Sequence, residues 1–281
     1  MRRLDVADIE MITDTHAALE QCGDLFRADP VGSNMVTAAL SPTVDFELWR
    51  VSEAGTTAGV AFRAGPMCTV TALVADAADL IGDALPIDAP FSVYGPAGAA
   101  ATVAGRWMTR SNGTVIGLEL NRMYRLGTLT EPSKRRKGKA FVTERERIDH
   151  AAEWGVGFGS DTGRTRSVDD ARAQMERAVN ESRLVEWRVK GEVVSQLIIS
   201  AVRFGVVRIG QMYTPPEFRK RGHAAALTAA VAAQQLKRQK VDEVILNVSA
   251  SNPSTNRLYR RVGFGSAIEM LGIDLVPGMP D

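Results

Sequence analysis

The sequence predicts a mixed α/β chain built as two tandem domains, and three observations carry that expectation. The chain has 281 residues, roughly two domains at about 150 residues each. Its second half alternates apolar, β-branched runs with helical patterns. Its first half echoes the second. With 45% hydrophobic and 24% charged residues, the composition is that of a globular protein, which excludes a wholly disordered or collagen-like chain.

The boundary is read between Leu126 and Lys139. Glu131-Pro132-Ser133 is followed by Lys134-Arg135-Arg136-Lys137-Gly138-Lys139, and a Pro, a Gly and a charge run between periodic segments mark an exposed connection. No aromatic residue interleaves with the cations to stack on bases, so the run reads as a linker and no nucleic acid partner is expected. The expected division is 1–130, a basic linker at 131–138, and a second domain at 139–281.

In the second domain Ala140–Val142 reads as a short strand, and Thr143 with Glu146 as a capping box opening a helix. Ser167 with Asp170 starts another helix. Three strands follow at Leu184–Val189, Val193–Val202 and Val206–Tyr213, with Gly191 and Gly205 at the joins. A loop over Thr214–Arg221 leads into an alanine-rich helix running to about Gln239, with Lys237, Arg238 and Lys240 suited to its C-terminal dipole. Val244–Val248 is a strand, Pro253–Val262 a short helix and Ile268–Val276 a closing strand. The echo lies in Glu47-Leu48-Trp49-Arg50-Val51 against Val185-Glu186-Trp187-Arg188-Val189, and in a Pro-to-aromatic spacing of 11 at Pro96/Trp107 and Pro253/Phe264. Both point to a duplicated fold.

Charge divides the copies. Residues 1–133 hold 9 Arg, no Lys and 16 acids, a net −7, against +8 for the remainder. A basic half suggests an anionic ligand without naming one. Cys22 and Cys68 have no metal-binding spacing, so neither a disulfide framework nor a metal site is expected. The amino terminus reaches Asp5, Asp8 and Glu10 before any apolar core, and Ala224–Ala233 is too short to span a bilayer. The expected setting is cytoplasmic, without membrane contact.

The densest chemistry lies in Ile209-Gly210-Gln211-Met212-Tyr213-Thr214-Pro215-Pro216-Glu217-Phe218-Arg219-Lys220-Arg221-Gly222-His223-Ala224-Ala225. An apolar strand ends, and a glycine and three cations precede a long helix whose first-turn N–H groups lack intrahelical partners. Such a segment is a cradle for phosphate or pyrophosphate. In the first half the corresponding stretch, Thr69 to Leu73, runs into a helix bearing Asp76, Asp79 and Asp83, which would repel phosphate. There is no G-x-x-x-x-G-K-[ST], and Gly155-Val156-Gly157-Phe158-Gly159 follows a helical stretch, not a strand, so neither a triphosphatase nor a dinucleotide fold is indicated.

Downstream stands Asn252-Pro253-Ser254-Thr255-Asn256-Arg257-Leu258-Tyr259-Arg260-Arg261-Val262-Gly263-Phe264. With both motifs in order, residues 140–281 resemble the GNAT superfamily of acyl-CoA-dependent N-acyltransferases, and the whole chain resembles its two-domain bacterial members with a degenerate first copy. The resemblance implies a largely antiparallel central sheet flanked by helices, and acetyl-CoA as acyl donor. It implies that Met212, Tyr213 and Thr214 end a splayed strand that pairs with the pantetheine arm. Arg219, Lys220, Arg221, Gly222, His223, Ala224 and Ala225 would surround the pyrophosphate, mainly through backbone N–H groups. Asn252 would bond the pantetheine, and Tyr259 would protonate the departing thiolate, a role open to a positioned phenol.

Many such enzymes place a glutamate on the central strand as base. Here that strand offers only Arg208 and Gln211. Glu186, expected to face solvent, and Glu217 are candidates only by proximity in sequence, and a water relay or an already neutral amine is the alternative. His223 reads as a loop residue, and His16 and His150 as surface residues of helices. The expected reaction is direct acetyl transfer to a small-molecule or peptide amine. A longer acyl-CoA donor and a non-catalytic CoA-responsive regulator stay open beside it.

Overall fold

The computed structural model describes residues 7–131 and 137–278, so most of the basic linker, 132–136, lies outside the described residues. The order of elements repeats. The first copy runs β1 (Ala7–Ile12), α1 (Thr15–Gln21), α2 (Gly23–Ala28), α3 (Asn34–Thr37), β2 (Glu47–Glu53), β3 (Thr56–Ala64), β4 (Met67–Val70), α4 (Ala75–Ala84), β5 (Phe91–Pro96), α5 (Ala97–Ser111) and β6 (Thr114–Leu126). The second runs β7 (Lys139–Val142), α6 (Ile148–Asp161), α7 (Val168–Asn180), β8 (Leu184–Val189), β9 (Glu192–Ile199), β10 (Val206–Tyr213), α8 (His223–Leu236), β11 (Glu243–Ser249), α9 (Pro253–Val262) and β12 (Phe264–Val276). Strand β2 and strand β8 hold the echoed pentapeptides, as duplication requires. The Pro-to-aromatic echo is not structural: Trp107 lies inside α5, whereas Phe264 opens β12 after α9 has ended.

Two compact units form, and they are not the two halves of the chain. One comprises Met1–Met123, Val248–Asn252 and Ser266–Asp281; the other comprises Tyr124–Asn247 and Pro253–Gly265. Thus most of β12, which ends the second copy in sequence, belongs to the first unit, where Met270–Leu275 runs antiparallel to β5. The division expected at 131–138 differs from this at the C-terminal end, because nothing in a strand's alternation names its partner.

In the first unit β1–β2–β3–β4 is antiparallel throughout, and β4 runs parallel to β5. Its core gathers Trp49, Val51, Val70, Ile81, Phe91, Val93 and Trp107 with Ile273 and Leu275 of β12. The Trp107 indole packs edge-on against Phe91 and donates to Pro86 O at 2.7 Å. Cys22 and Cys68 are buried, which pushes their thiols up to about 11 and about 12, so neither is an available nucleophile.

In the second unit β7–β8–β9–β10 is antiparallel and β11 lies parallel to β10. Helices α6 and α7 pack through small residues: Ala151, Ala152, Ala171 and Ala178 lie with Met175 and Leu184 in one core. The glycines at 155 and 159 allow the close approach there. A Cβ on Gly155 would sit 2.9 Å from Met175 Cε, and one on Gly159 would sit 2.7 Å from Arg164 O.

Three local expectations need correction. Thr143 does not cap a helix: its N–H donates to Leu184 O (3.0 Å), extending the sheet edge, so its side chain points inward and a 3-10 turn at Arg145–Arg147 precedes α6 instead. Helix α8 ends at Leu236, leaving Lys237 at its C-cap and Arg238 and Lys240 beyond it. Strand β9 stops at Ile199, before a turn through Phe204 and Gly205, both at positive φ. By contrast Ser167 does cap α7, accepting from Asp170 N (3.0 Å) while its hydroxyl donates to Asp170 Oδ2 (2.6 Å). Ser167→Ala is expected to lower stability by about 1 kcal/mol, read as an earlier urea midpoint. Among the described residues no helix is long and apolar enough to cross a membrane.

Candidate active site

Strand β10 is where the second copy opens. Ile209 pairs with Ile199 on one side and Leu246 on the other, and the pairing with β11 ends at that residue. One residue on, Gly210 faces Ile198, but Tyr213 faces Gln196, so three steps along β10 match two along β9. The extra residue is absorbed at Gln211, whose φ of 47° is left-handed. This is a β-bulge, which bends a strand and re-aims its backbone. From Gly210 to Tyr213 the strand thus departs from β11 with backbone groups available to an extended partner.

The first copy closes the same place. Strand β4 pairs with β3 without a register shift and with β5 up to Thr69, one residue short of its end. Gly95 lies so close that a Cβ there would be 2.6 Å from Val70 O. No opening and an acidic helix follow, since α4 carries Asp76, Asp79 and Asp83.

Beyond β10 the chain is held by side chains. Ser195, fully buried on β9, bonds Tyr213 O (3.0 Å) and Thr214 Oγ1 (2.8 Å). Arg219 donates from Nε to Thr214 O (2.9 Å), forms an ion pair with Asp161 and lies 5.8 Å over the Tyr213 ring. Tyr213 fits because α6 is a glycine there: a Cβ on Gly157 would be 2.5 Å from its hydroxyl oxygen. Arg219 therefore braces the loop, while Lys220 and Arg221 are exposed. Lys220 has φ 60° and Gly222, the N-cap of α8, has φ 80° and ψ 14°. Those two left-handed residues turn the chain so that His223, Ala224 and Ala225 form the first turn of a 14-residue helix. Its leading amides have no partner inside the helix and carry the positive end of its dipole. Met212 to Ala225 thus form one continuous segment of strand end, turn and helix start.

Asn252 lies in the turn between β11 and α9, its N–H donating to Ser249 O at 3.2 Å. Tyr259 is on the buried face of α9 with Asn256 and Val262, and packs edge-on against Phe264. Burial alone pushes its phenol above the ordinary tyrosine value, so it is protonated at neutral pH. Asn256 Oδ1 accepts from the Tyr124 hydroxyl at 2.8 Å, which fixes the face that α9 buries.

Glu186 does not face solvent: it is fully buried and bonded by Arg147 and Arg188, each at 3.0 Å. A buried carboxylate held by two guanidinium groups is a structural ion cluster, since removing those cations would leave a costly uncompensated charge. Glu217 is exposed on the 3-10 turn Pro216–Phe218. His16 is solvent-exposed, and His150 rests on Trp154. Among the described residues no cluster of three His, Cys, Asp or Glu is arranged to hold a metal.

Sequence reading missed two polar neighbours of the bulge. Gln211 Nε2 donates to Gln174 Oε1 at 2.8 Å, and Arg166 Nη1 donates to that same oxygen. Neither Arg166 nor Gln174 belongs to a motif. Arg166 just precedes α7 and Gln174 lies midway along it, and only the fold brings them to β10.

Residues 148–264 match the family model described as acetyltransferase (GNAT) family. No curated protein sequence matches the chain. Among solved structures, an acetyltransferase from the GNAT family from Colwellia psychrerythraea is 12% identical, with 95% of this chain and 99% of that one covered and a TM-score of 0.61. A GCN5-related N-acetyltransferase from Sphaerobacter thermophilus is 18% identical, covering 97% of each chain at a TM-score of 0.58. A tandem GNAT protein from the clavulanic acid biosynthesis pathway is 12% identical, covering 98% of this chain and 100% of that one, also at 0.58. At such identities the likeness is one of fold.

Proposed function

The chain carries a domain of the acetyltransferase (GNAT) family at residues 148–264, a family of acyl-CoA-dependent acyltransferases, and from that premise we propose that this protein transfers an acetyl group from acetyl-CoA directly to an amine. The observation that carries the reading is the bulge at Gln211 followed by the helix start at Gly222. An unpaired strand edge suits an amide-bearing pantetheine arm, and an uncapped helix start with a left-handed glycine suits a pyrophosphate. Met212, Tyr213 and Thr214 present the backbone to the arm. Lys220 and Arg221 add long-range attraction, and the amides of His223, Ala224 and Ala225 meet the phosphates.

Catalysis in this reading is chiefly proximity. The neutral amine attacks the thioester carbonyl, the new C–N bond replaces the C–S bond, and the thiolate takes the proton of Tyr259. With Gln211 where a carboxylate base would stand, the amine's proton leaves through water, and water returns a proton to the Tyr259 phenolate. No covalent acyl-enzyme is involved.

Isothermal titration with acetyl-CoA tests the binding half, and the absence of heat from the wild type rejects it. Turnover tests the rest. Tyr259→Phe is expected to lose at least tenfold in kcat while its affinity for acetyl-CoA stays within twofold, because the phenol acts on the leaving group. Equal turnover removes Tyr259 from the reaction. The missing carboxylate favours a second reading, a CoA-responsive regulator without catalysis. Tight binding with no CoA released against a broad amine library, for acetyl and longer acyl donors alike, would select it.

A further inference from the structure

We propose that the acceptor is an amine bearing a carboxylate, an amino acid or a compound like one, and that Arg166 binds that carboxylate while Gln211 holds the amine. This rests on the acyl-transfer reading above and names the substrate class for the same site.

The hydrogen bonds around Gln174 define the polarity of the place. Arginine has donors only, so the atom of Gln174 that meets Arg166 must be its oxygen. That oxygen also receives Gln211 Nε2, so the Gln211 amide must turn its own oxygen elsewhere. Both side-chain orientations follow from the network. A carbonyl oxygen has two lone pairs, and Gln174 Oε1 has spent both.

What is left over is a complementary pair. Gln211 Oε1 is buried and accepts no hydrogen bond from the described residues. A buried amide oxygen without a donor is costly, and the cost ends when a ligand supplies an N–H. Beside it, Gln174 takes one of the five N–H groups of Arg166. The arginine stem lies against α6, with its Cβ 3.5 Å from where a Cβ on Gly159 would be, and the residue is half-buried. Burial depresses its pKa, and Arg164 and Arg177 push in the same direction while Asp170 opposes them. The Asp170 carboxylate already receives the Ser167 hydroxyl at the cap of α7. A half-buried guanidinium among other cations is a receptor for an anion, and its planar fork fits a carboxylate.

Spacing makes the pair specific. Arg166 and Gln211 donate to one oxygen, so their bonding atoms lie within about two hydrogen-bond lengths, roughly 6 Å, of each other. The other N–H groups of Arg166 and Gln211 Oε1 adjoin those atoms, and an α- or β-amino acid with one hydrogen bond of about 3 Å at each end reaches between them, carboxylate to Arg166 and nitrogen to Gln211. Gln211 is the bulge residue of the strand along which the donor is proposed to lie, so an amine held by its Oε1 is presented to the thioester.

The test is CoA release from acetyl-CoA with amino acids, the matching carboxamides, and simple amines of equal size. Carboxylates are expected to be preferred over their carboxamides at least tenfold in kcat/KM. Arg166→Gln should raise KM for carboxylate acceptors at least tenfold and bring that ratio towards one, with acetyl-CoA affinity within twofold of wild type as evidence of folding. Arg166→Lys, which keeps charge without the fork, should fall between. Carboxamides or simple amines used as well as carboxylates, or both acceptor classes impaired equally by Arg166→Gln, overturns the assignment and leaves acyl transfer standing. If no acceptor is turned over, binding of N-acetyl amino acids to the CoA-loaded protein decides: Arg166-dependent binding supports it and none overturns it. Failure to bind acetyl-CoA at all fails the earlier reading instead.

Discussion

Gly222→Glu is expected to abolish measurable acetyl-CoA binding, a loss of at least 100-fold, while the protein stays folded. Two effects act at that position. Gly222 has φ 80° at the N-cap of α8, and a residue with a Cβ in the left-handed region costs on the order of 1–2 kcal/mol. That strain falls on stability. The carboxylate acts on the ligand, because it stands at the helix start where the pyrophosphate is proposed to sit, and juxtaposed like charges cost several kcal/mol. About 2.7 kcal/mol is already 100-fold. For the empty protein the same carboxylate is favourable, since an anion at a helix N-terminus is stabilising by roughly 0.3–1 kcal/mol. Charge therefore hurts binding and partly offsets strain, which makes the two effects separable. Gly222→Ala carries the strain without the charge and should melt earlier than Gly222→Glu, yet bind acetyl-CoA more tightly. Isothermal titration and thermal melts of the three proteins read both quantities. An unchanged Kd for Gly222→Glu would sink the phosphate cradle.

The residues that can be read without coordinates are those whose signal is local. Strands β8 and β10 and helix α9 match their sequence boundaries because β-branched runs and a proline at a helix start are short-range determinants. The cap at Ser167 is of the same kind. Thr143 shows the limit: its N–H bonds Leu184 across the sheet edge, its hydroxyl oxygen is buried, and the 3-10 turn starts from Glu144 instead. Glu186 shows it again: an exposed-looking glutamate is buried where Arg147, 39 positions earlier in the chain, joins its strand neighbour Arg188 around it. At the candidate site the segment proposed to cradle phosphate is legible in the sequence, because it is contiguous there. The bulge at Gln211 is not, because its cause is the pairing of β10 with β9. Arg166 stands 45 positions before Gln211 in the chain and could be joined to it only through Gln174.

The last strand gives the other large effect. Cutting the chain at 138/139, the boundary that composition suggests, is expected to yield two fragments that are each insoluble alone and soluble together. Fragment 139–281 would carry Met270, Ile273 and Leu275, whose side chains are at most 4% exposed in the intact chain. These residues lie in the stretch of β12 that pairs with β5, and Ile273 and Leu275 pack in the core around Phe91, Val93 and Trp107. Burying each such side chain contributes roughly 1.5–3 kcal/mol, so the three are together worth about 5–9 kcal/mol, comparable to a domain's whole stability of about 5–15 kcal/mol. Fragment 1–138 would lose that cover and leave one side of β5 as an unpaired, apolar strand edge, the geometry that invites aggregation. Co-expression restores the pairing of β12 with β5 and should return a soluble complex that co-purifies through a tag on either piece. Ile273→Asp in the intact chain should unfold the first unit, although the residue is carried on the second copy's last strand. A soluble, monomeric fragment 139–281 would show that β12 has an alternative place within its own copy, and that the exchange of this strand is not what holds the first unit together.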